Sequence, residues 1–252
     1  MLAAALQIAL ACGALGLMWR LGRGATIRLA PPPSTATAGV GIWSGAAFVL
    51  LAALTAVHDS HVVVVLDFSF NAFLDGRQDA PAIHFVVWLT RLGDSAALLA
   101  VTVVATGFLV VTQRRSAAPG LGVGFLGVES SVWLLKFWAD SPRPDLDVSV
   151  DTVLSPSYPS AHAAGALLVY GLIARLLLRR TVSRSLSYDI AFATTATIGT
   201  VALSRVMLSV HGPSEVVAGL LLGLVWLGVA IAVVNRLDQT GGRTGQGDRQ
   251  PC

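Results

Sequence analysis

The chain has 252 residues, of which 54% are hydrophobic and only 12% are charged, and its mean hydropathy is +0.72. Soluble domains carry about 25% charged residues, so this composition indicates a membrane protein without a sizeable soluble domain. The net charge of +3 comes from short basic clusters between apolar runs, which favours a role in membrane topology over a nucleic-acid partner. The two cysteines have neither metal-ligand nor disulfide-framework spacing, and P-loop and zinc-protease motifs are absent from the sequence.

Apolar runs that are long enough to cross a bilayer recur along the sequence. They predict an all-α, polytopic membrane protein with helices at roughly 2–18, 38–57, 95–112, 118–138, 161–178, 189–209 and 213–235. The first run is followed by Trp19 and Arg20 where a signal peptide would have a small-residue cleavage site, so we expect a retained helix.

These runs divide the chain into three parts. Residues 1–37 are expected to form an extra N-terminal transmembrane helix and a Pro-rich linker, and residues 38–235 a core of six transmembrane helices. Residues 236–252, rich in Gly, Gln and Arg, are expected to form a disordered cytoplasmic tail.

The basic residues predict the orientation of the chain. Most of the 17 Lys and Arg residues lie in one alternating set of connections, near 20–28, 114–115, 175–184 and 236–249. We expect the protein to lie in the plasma membrane. Cytoplasmic loops retain Lys and Arg, so this set of connections should face the cytoplasm and the other loops should face outside. Segment 61–94, aromatic but also acidic, is predicted to form interfacial helices on the outer face.

Two glycine pairs have the spacing of close helix contacts. Gly120 with Gly124, and Gly219 with Gly223, could lie on a dimer interface. This spacing more often lets helices of one bundle approach closely, which is the interpretation we favour.

Polar residues gather at three helix ends on the predicted outer side. The first group holds Lys136 and Arg143, the second is Pro-Ser-Ala-His at 159–162, and the third holds Arg205, His211 and Glu215. A single lysine near a helix end usually snorkels to the interface, and a single histidine is more often structural. Polar groups are costly at membrane depth, so the three groups together indicate a shared anionic ligand.

A phosphate group fits this set of residues. Arg143 and Arg205 can bind phosphate oxygens with planar forks, Lys136 adds a point charge, and Ser160 can donate its hydroxyl. Pro159 and Pro213 each suit the first turn of a helix. The free N–H groups of both helix starts would then point at the anion.

The two histidines can divide the chemistry between them. Glu215 lies one helical turn after His211 and can fix the tautomer that leaves the other ring nitrogen nucleophilic. His162 can protonate the leaving group and later activate water. No acidic cluster has metal-ligand spacing, so the sequence predicts neither a metal nor another cofactor.

The three groups closely resemble the signature of the type-2 phosphatidic acid phosphatase superfamily, Lys-x6-Arg-Pro, then Pro-Ser-Gly-His, then Ser-Arg-x5-His-x3-Asp. The resemblance spans about residues 38–235 and implies a six-helix lipid phosphatase with a phosphohistidine intermediate. It implies phosphate binding by Lys136, Arg143, Ser160 and Arg205, acid catalysis by His162, nucleophilic attack by His211 and orientation by Glu215. The implied substrates are phosphatidic acid, phosphatidylglycerol phosphate or a polyprenyl diphosphate, and the oligomeric state stays open.

The sequence departs from the family pattern at two positions, so more than one function stays open. Ala161 stands where the family has glycine, and Glu215 stands where it has aspartate, so an inactive relative is one alternative. A lipid-to-lipid phosphotransferase is a second, and a transporter of anionic lipids, from a different class of protein, is a third.

Glu129 and three histidines lie outside the three groups. Glu129, in an apolar run, is either functional or the buried partner of a cation or hydroxyl. The remaining histidines are predicted to be surface groups, namely His58, His61 and His84.

Overall fold

The computed structural model describes residues 36–75, 80–112, 117–139, 157–181 and 183–247. All regular structure in these ranges is helical, which confirms the predicted all-α class. The helices are α1 Ala36–Val57, α2 His61–Asp75, α3 Ala80–Thr90, α4 Ser95–Val111, α5 Ala118–Ala139, α6 Ala161–Leu178, α7 Arg184–Met207 and α8 Pro213–Gly247, and a 3-10 turn at Arg91–Gly93 lies between α3 and α4. The predicted helix at 2–18, the Pro-rich linker and Arg143 lie outside the described residues.

The described helices fit a polytopic membrane protein. By length and composition, five of them can cross a membrane, namely α1, α5, α6, α7 and α8. The sequence predicted α4 as a complete span and left 61–94 outside the spans. In the structure α3 and α4 meet at a bend of 46° and pass the same criteria as a pair, either as one broken span or as a re-entrant loop, so the described residues contain up to six spans. Arg91 and Asp94, at the break, make this stretch too polar to be recognised as a span from sequence.

Two predicted helix boundaries are wrong. Helix α7 begins at Arg184 and not near 189, because the Ser183 hydroxyl accepts a hydrogen bond from the N–H of Leu186 and caps the helix. Helix α8 continues to Gly247, whereas the sequence predicted its end at 235 and disorder from 236. Arg179 of α6 donates to Asn235 and Asp238, so the turn after the predicted end is tied to the neighbouring helix.

Helix α8 packs against α1, α5 and α6, and its contact with α6 brings two helix starts together. A Cβ atom at Gly219 would strike the carbonyl oxygen of Ser160, and one at Gly223 would strike that of Ala164. A Cβ atom at Gly120 would strike the side chain of Val234 in α8, and one at Gly124 would lie 3.1 Å from Cβ of Ala230 in the same helix. Both glycine pairs therefore serve contacts within one bundle, as the favoured interpretation predicted.

The α6–α8 contact leads to a prediction about stability. Gly219→Ala should lower the free energy of unfolding by about 1–3 kcal/mol, because the added methyl group meets backbone atoms that cannot move aside cheaply. Thermal unfolding in detergent measures the change. Gly199→Ala in α7 is the matched control, since a Cβ atom there has no neighbour within 4 Å. Equal melting temperatures for the two variants would contradict the proposed close contact.

Candidate active site

His211 lies in the tight turn between α7 and α8, with its side chain buried to 2% exposure. Its Nδ1 is 2.9 Å from Oε2 of Glu215 in the first turn of α8. The same Glu215 oxygen accepts from the Gly212 N–H at 3.0 Å, and Oε1 accepts from the Ser157 hydroxyl. A carboxylate at Nδ1 favours the tautomer with hydrogen on Nδ1, so Nε2 keeps its lone pair.

The charge state of His211 follows from its burial. Burial lowers the pKa of His211, the contact with Glu215 opposes this effect, and the positive charges of Arg205 and Lys136 lower the pKa further. The ring is therefore neutral at pH 7, as a nucleophile requires. Both cations must lie close to His211 to act on it, so the structure brings together Lys136 from the end of α5 and Arg205 from the end of α7.

Arg205 is held by a hydrogen bond to the bent pair of helices α3 and α4. One of its guanidinium nitrogens donates to the Thr90 hydroxyl at 3.1 Å, at the end of α3. The sequence did not indicate a role for Thr90, because the two residues are 115 positions apart in the chain.

Ser160 lies at the start of α6, where the sequence placed it, but as the N-cap residue before the helix. Its N–H donates to the Glu215 carbonyl oxygen at 3.1 Å, so it cannot also bind an anion as predicted. The Ser160 hydroxyl is fully buried and has no hydrogen-bond partner among the described residues. A buried hydroxyl without a partner is costly, and its position beside Glu215 and His162 makes it a suitable donor to a bound ligand.

His162, in the first turn of α6, contacts a carboxylate that the sequence analysis missed. Its Nε2 is 2.8 Å from Oδ1 of Asp94, the residue between the 3-10 turn and α4. Arg205 and His211 are both close enough to act electrostatically on His162. The two histidines therefore belong to one site, at the same end of the helix bundle.

The predicted anion site at the start of α8 is wrong. The N–H and hydroxyl of Ser214 both donate to the carboxylate of Asp67 in α2, and the Gly212 N–H is used by Glu215. Burial raises the pKa of Asp67, and its hydrogen bonds with Ser214 oppose the shift. A protein carboxylate thus occupies the place predicted for phosphate. Asp67 interrupts an apolar run just as Glu129 does. An ionisable residue in such a run is a candidate functional residue, so the sequence did contain a signal for Asp67.

Glu129 and His58 have structural partners. The hydroxyl of Ser95 donates to both carboxylate oxygens of Glu129 at 3.2 Å, which favours the buried-partner alternative. His58 is 9% exposed, and its ring contacts that of Tyr158 in a tilted arrangement with centroids 4.4 Å apart, so its assignment to the surface is wrong. Tyr158 comes just before the Pro159–Ser160 pair and also bonds the Thr55 hydroxyl at 2.7 Å.

The other two histidines are less informative. His61 is exposed, as predicted, at the start of α2. His84 is also exposed, as predicted, and lies in α3.

With the arrangement of these residues established, comparisons with known proteins give the family. Residues 95–239, more than half of the chain, match the family model described as the PAP2 superfamily, and the chain belongs to this family. This confirms the resemblance found in the sequence.

Two similar proteins give further context. The decaprenylphosphoryl-5-phosphoribose phosphatase of Mycobacterium tuberculosis, found in two strains, is 32% identical over 120 residues, or 46% of this chain and 61% of that protein. The crystal structure of a transmembrane PAP2 type phosphatidylglycerolphosphate phosphatase from Bacillus subtilis superimposes with a TM-score of 0.70 at 24% identity, covering 77% of this chain and 96% of that one. The structural likeness shows that the fold is shared.

The lowered pKa of His211 predicts how stability depends on pH. Above the ordinary histidine value of about 6.5, the ring is neutral in both the folded and unfolded states. As pH falls below about 6.5, the unfolded chain takes up a proton that the folded site excludes, so stability falls, by at most about 1.4 kcal/mol per pH unit. We expect a melting-temperature series from about pH 8 to about pH 5 to decline more steeply in the wild type than in His211→Gln. Parallel declines would contradict the lowered pKa.

Proposed function

We propose that this protein is a metal-independent phosphatase that removes phosphate from a lipid phosphate or prenyl (di)phosphate through a phosphohistidine intermediate. The observation that carries the proposal is the buried, neutral His211, whose Nδ1 is fixed by Glu215 while its Nε2 keeps a lone pair near Lys136 and Arg205. The relatives support the substrate class, since one is a phosphatase of a decaprenyl-linked sugar phosphate and the other of phosphatidylglycerolphosphate.

In the first proposed step, Nε2 of His211 attacks phosphorus and the bond to the leaving oxygen breaks. This oxygen belongs to the lipid alcohol in a monophosphate and is the bridging oxygen in a diphosphate. Lys136 and Arg205, together with Arg143, would stabilise the charge on the phosphoryl oxygens, and the Ser160 hydroxyl would donate to one of them. His162 would protonate the departing oxygen. In the second step water attacks phosphorus, His162 takes a proton from that water, and the nitrogen–phosphorus bond breaks.

We further propose that the site faces the outside of the cell membrane. Helices α6 and α8 run in the same direction, because Ser160 bonds Glu215 at their starts and Arg179 bonds Asp238 near their other ends. The catalytic histidines therefore lie at the end of the bundle opposite Arg175 and Arg179. Since basic residues concentrate on the cytoplasmic side, this arrangement supports an extracytoplasmic site.

The His211–Glu215 pair also distinguishes the proposed phosphatase from the alternative of a transporter of anionic lipids. A permeation path for anionic lipids needs cations but no oriented imidazole, so the pair favours an enzyme. A lipid-to-lipid phosphotransferase would use the same residues and would differ only in the acceptor that attacks phosphohistidine.

Replacement of the nucleophile tests the mechanism. We expect His211→Ala to lower phosphate release by roughly 1,000-fold or more while the purified protein still folds. Release is measured in detergent across phosphatidic acid, phosphatidylglycerol phosphate and prenyl mono- and diphosphates, which also identifies the preferred substrate. His61→Ala, at an exposed histidine of α2, is the matched control and should keep wild-type activity. Full activity in His211→Ala would exclude the proposed intermediate.

Dependence on metal is tested separately. Within the described residues, no three His, Cys, Asp or Glu side chains form a group that could hold a metal ion. We expect turnover to survive treatment with EDTA, because the cations and the start of α6 would stabilise the phosphoryl charge. Loss of activity with EDTA that a divalent ion restores would contradict the metal-independent mechanism.

A further inference from the structure

We infer that Asp94 is a positioning residue that orients His162 so that Nδ1, and not Nε2, transfers the proton. This inference rests on the proposed phosphatase function and adds a carboxylate that lies outside the three sequence groups. The site then contains two carboxylate–imidazole pairs, Glu215 with His211 and Asp94 with His162, which fix opposite ring nitrogens.

The backbone around Asp94 indicates that its side chain is directed to His162. Asp94 is the N-cap residue of α4, a position where aspartate normally accepts hydrogen bonds from the first turn of its own helix. Its side chain makes no such capping bond, and Oδ1 lies 2.8 Å from Nε2 of His162 in α6. The carboxylate therefore contacts another helix in place of its own helix start.

The neighbouring glycine lets the turn come close to the histidine ring. A Cβ atom at Gly93 would lie 3.1 Å from Cβ and 3.2 Å from Cδ2 of His162, and closer still to Val201. The Cδ2–Nε2 edge of the ring therefore lies against the 3-10 turn. Asp94 binds that edge, and the Nδ1–Cε1 edge is left to face away from the turn.

The turn is also held from two other helices. The hydroxyl of Tyr170 in α6 donates to the carbonyl oxygen of Leu92 at 2.8 Å, and Thr90 contacts Arg205 of α7. These contacts fix the position of Asp94 relative to both the proton donor and a phosphate-binding cation. A carboxylate on such a rigid turn can orient an imidazole without touching the substrate.

The proton balance follows from this geometry. Protonated His162 carries one hydrogen on Nε2, bound to Asp94, and one on Nδ1. When the phosphorus–oxygen bond to the lipid breaks, the Nδ1 hydrogen passes to the leaving oxygen and the lipid alcohol departs. When water attacks phosphorus, Nδ1 of His162 takes a proton from that water, the bond between phosphorus and Nε2 of His211 breaks, and inorganic phosphate leaves.

Several charged groups act at this place, and the pH dependence must be assigned among them. The charged or titratable groups that act on His162 are Asp94 from the turn, Arg205 from α7 and His211 from the turn before α8. Glu215 and Lys136 act on the neighbouring His211. Of these, Asp94 is the carboxylate in direct contact with the ring, so its removal should act on proton donation more than on phosphate binding.

The test is the pH dependence of turnover in Asp94→Asn on the lipid phosphate that the wild type hydrolyses best. Loss of the carboxylate destabilises protonated His162, so the basic limb of the kcat profile should move by about one unit to lower pH. We expect kcat to fall by roughly 10-fold to 100-fold. This loss is smaller than the full contribution of a general acid, which is about 100-fold to 10,000-fold. KM should stay nearly unchanged, because Asp94 is not placed to bind phosphate. Asp94→Glu, which restores the charge, should recover part of both effects.

Asp59→Asn is the matched control. Asp59 also contacts a histidine, with Oδ1 3.0 Å from Nε2 of His58, but its side chain is 76% exposed and lies outside the site. This variant should keep the wild-type kcat and pH profile. Asp94→Ser, another neutral N-cap residue, replaces Asp94→Asn in the comparison if the asparagine variant does not fold.

The outcomes distinguish this inference from the proposed function. A wild-type pH profile in Asp94→Asn, or a fall in activity without displacement of the basic limb, would overturn the role of Asp94 and leave the phosphatase mechanism intact. Retained turnover in His211→Ala would overturn the proposed function whatever the Asp94 variants show.

Discussion

The candidate site depends on the carboxylate of Glu215. Its two oxygens accept hydrogen bonds from His211, Gly212 and Ser157, and its main-chain carbonyl accepts from Ser160. One residue thus joins the turn before α8 to the segment that starts α6. The family pattern has aspartate here, yet the longer glutamate still reaches Nδ1 of His211 at 2.9 Å. The alanine at 161 is equally compatible, because it is the first helical residue of α6 and needs no unusual backbone conformation.

The second constraint is the break between α3 and α4. Irregular backbone at membrane depth is tolerated only where the protein satisfies its polar groups or where it lines a polar cavity. The first condition holds at this turn, since Tyr170 satisfies the Leu92 carbonyl, Arg205 binds the Thr90 hydroxyl and His162 binds the Asp94 carboxylate. The turn between α3 and α4 therefore contacts two residues of the candidate site, Arg205 through Thr90 and His162 through Asp94.

Much of the fold and the main site residues could be predicted from the sequence, because both depend on patterns within short segments. Apolar runs indicated the helices, and the three polar groups indicated His162, His211 and Glu215, which the structure brings to one end of the bundle. Asp94 and Asp67 could not be placed in this way. Their partners are 68 and 147 positions away in the chain, and no local spacing reports such contacts. The start of α8 was mispredicted for the same reason, since a free helix start and one already occupied by Asp67 have the same local sequence.

That occupied helix start affects how a phosphoryl group could lie in the site. A helix N-terminus attracts anions, and two such ends would compete for the same phosphoryl oxygens. Because Asp67 binds Ser214 at the start of α8, the proposed mechanism would place the main-chain anion site at the start of α6, beside the buried Ser160 hydroxyl and without the Ser160 N–H, which Glu215 occupies. Under the proposed mechanism, oxygens bound near α6 would leave phosphorus facing His211 on the α8 side. Asp67 in α2 would then favour catalysis without contacting the substrate. It would leave the phosphoryl group one orientation, in which His211 can reach phosphorus.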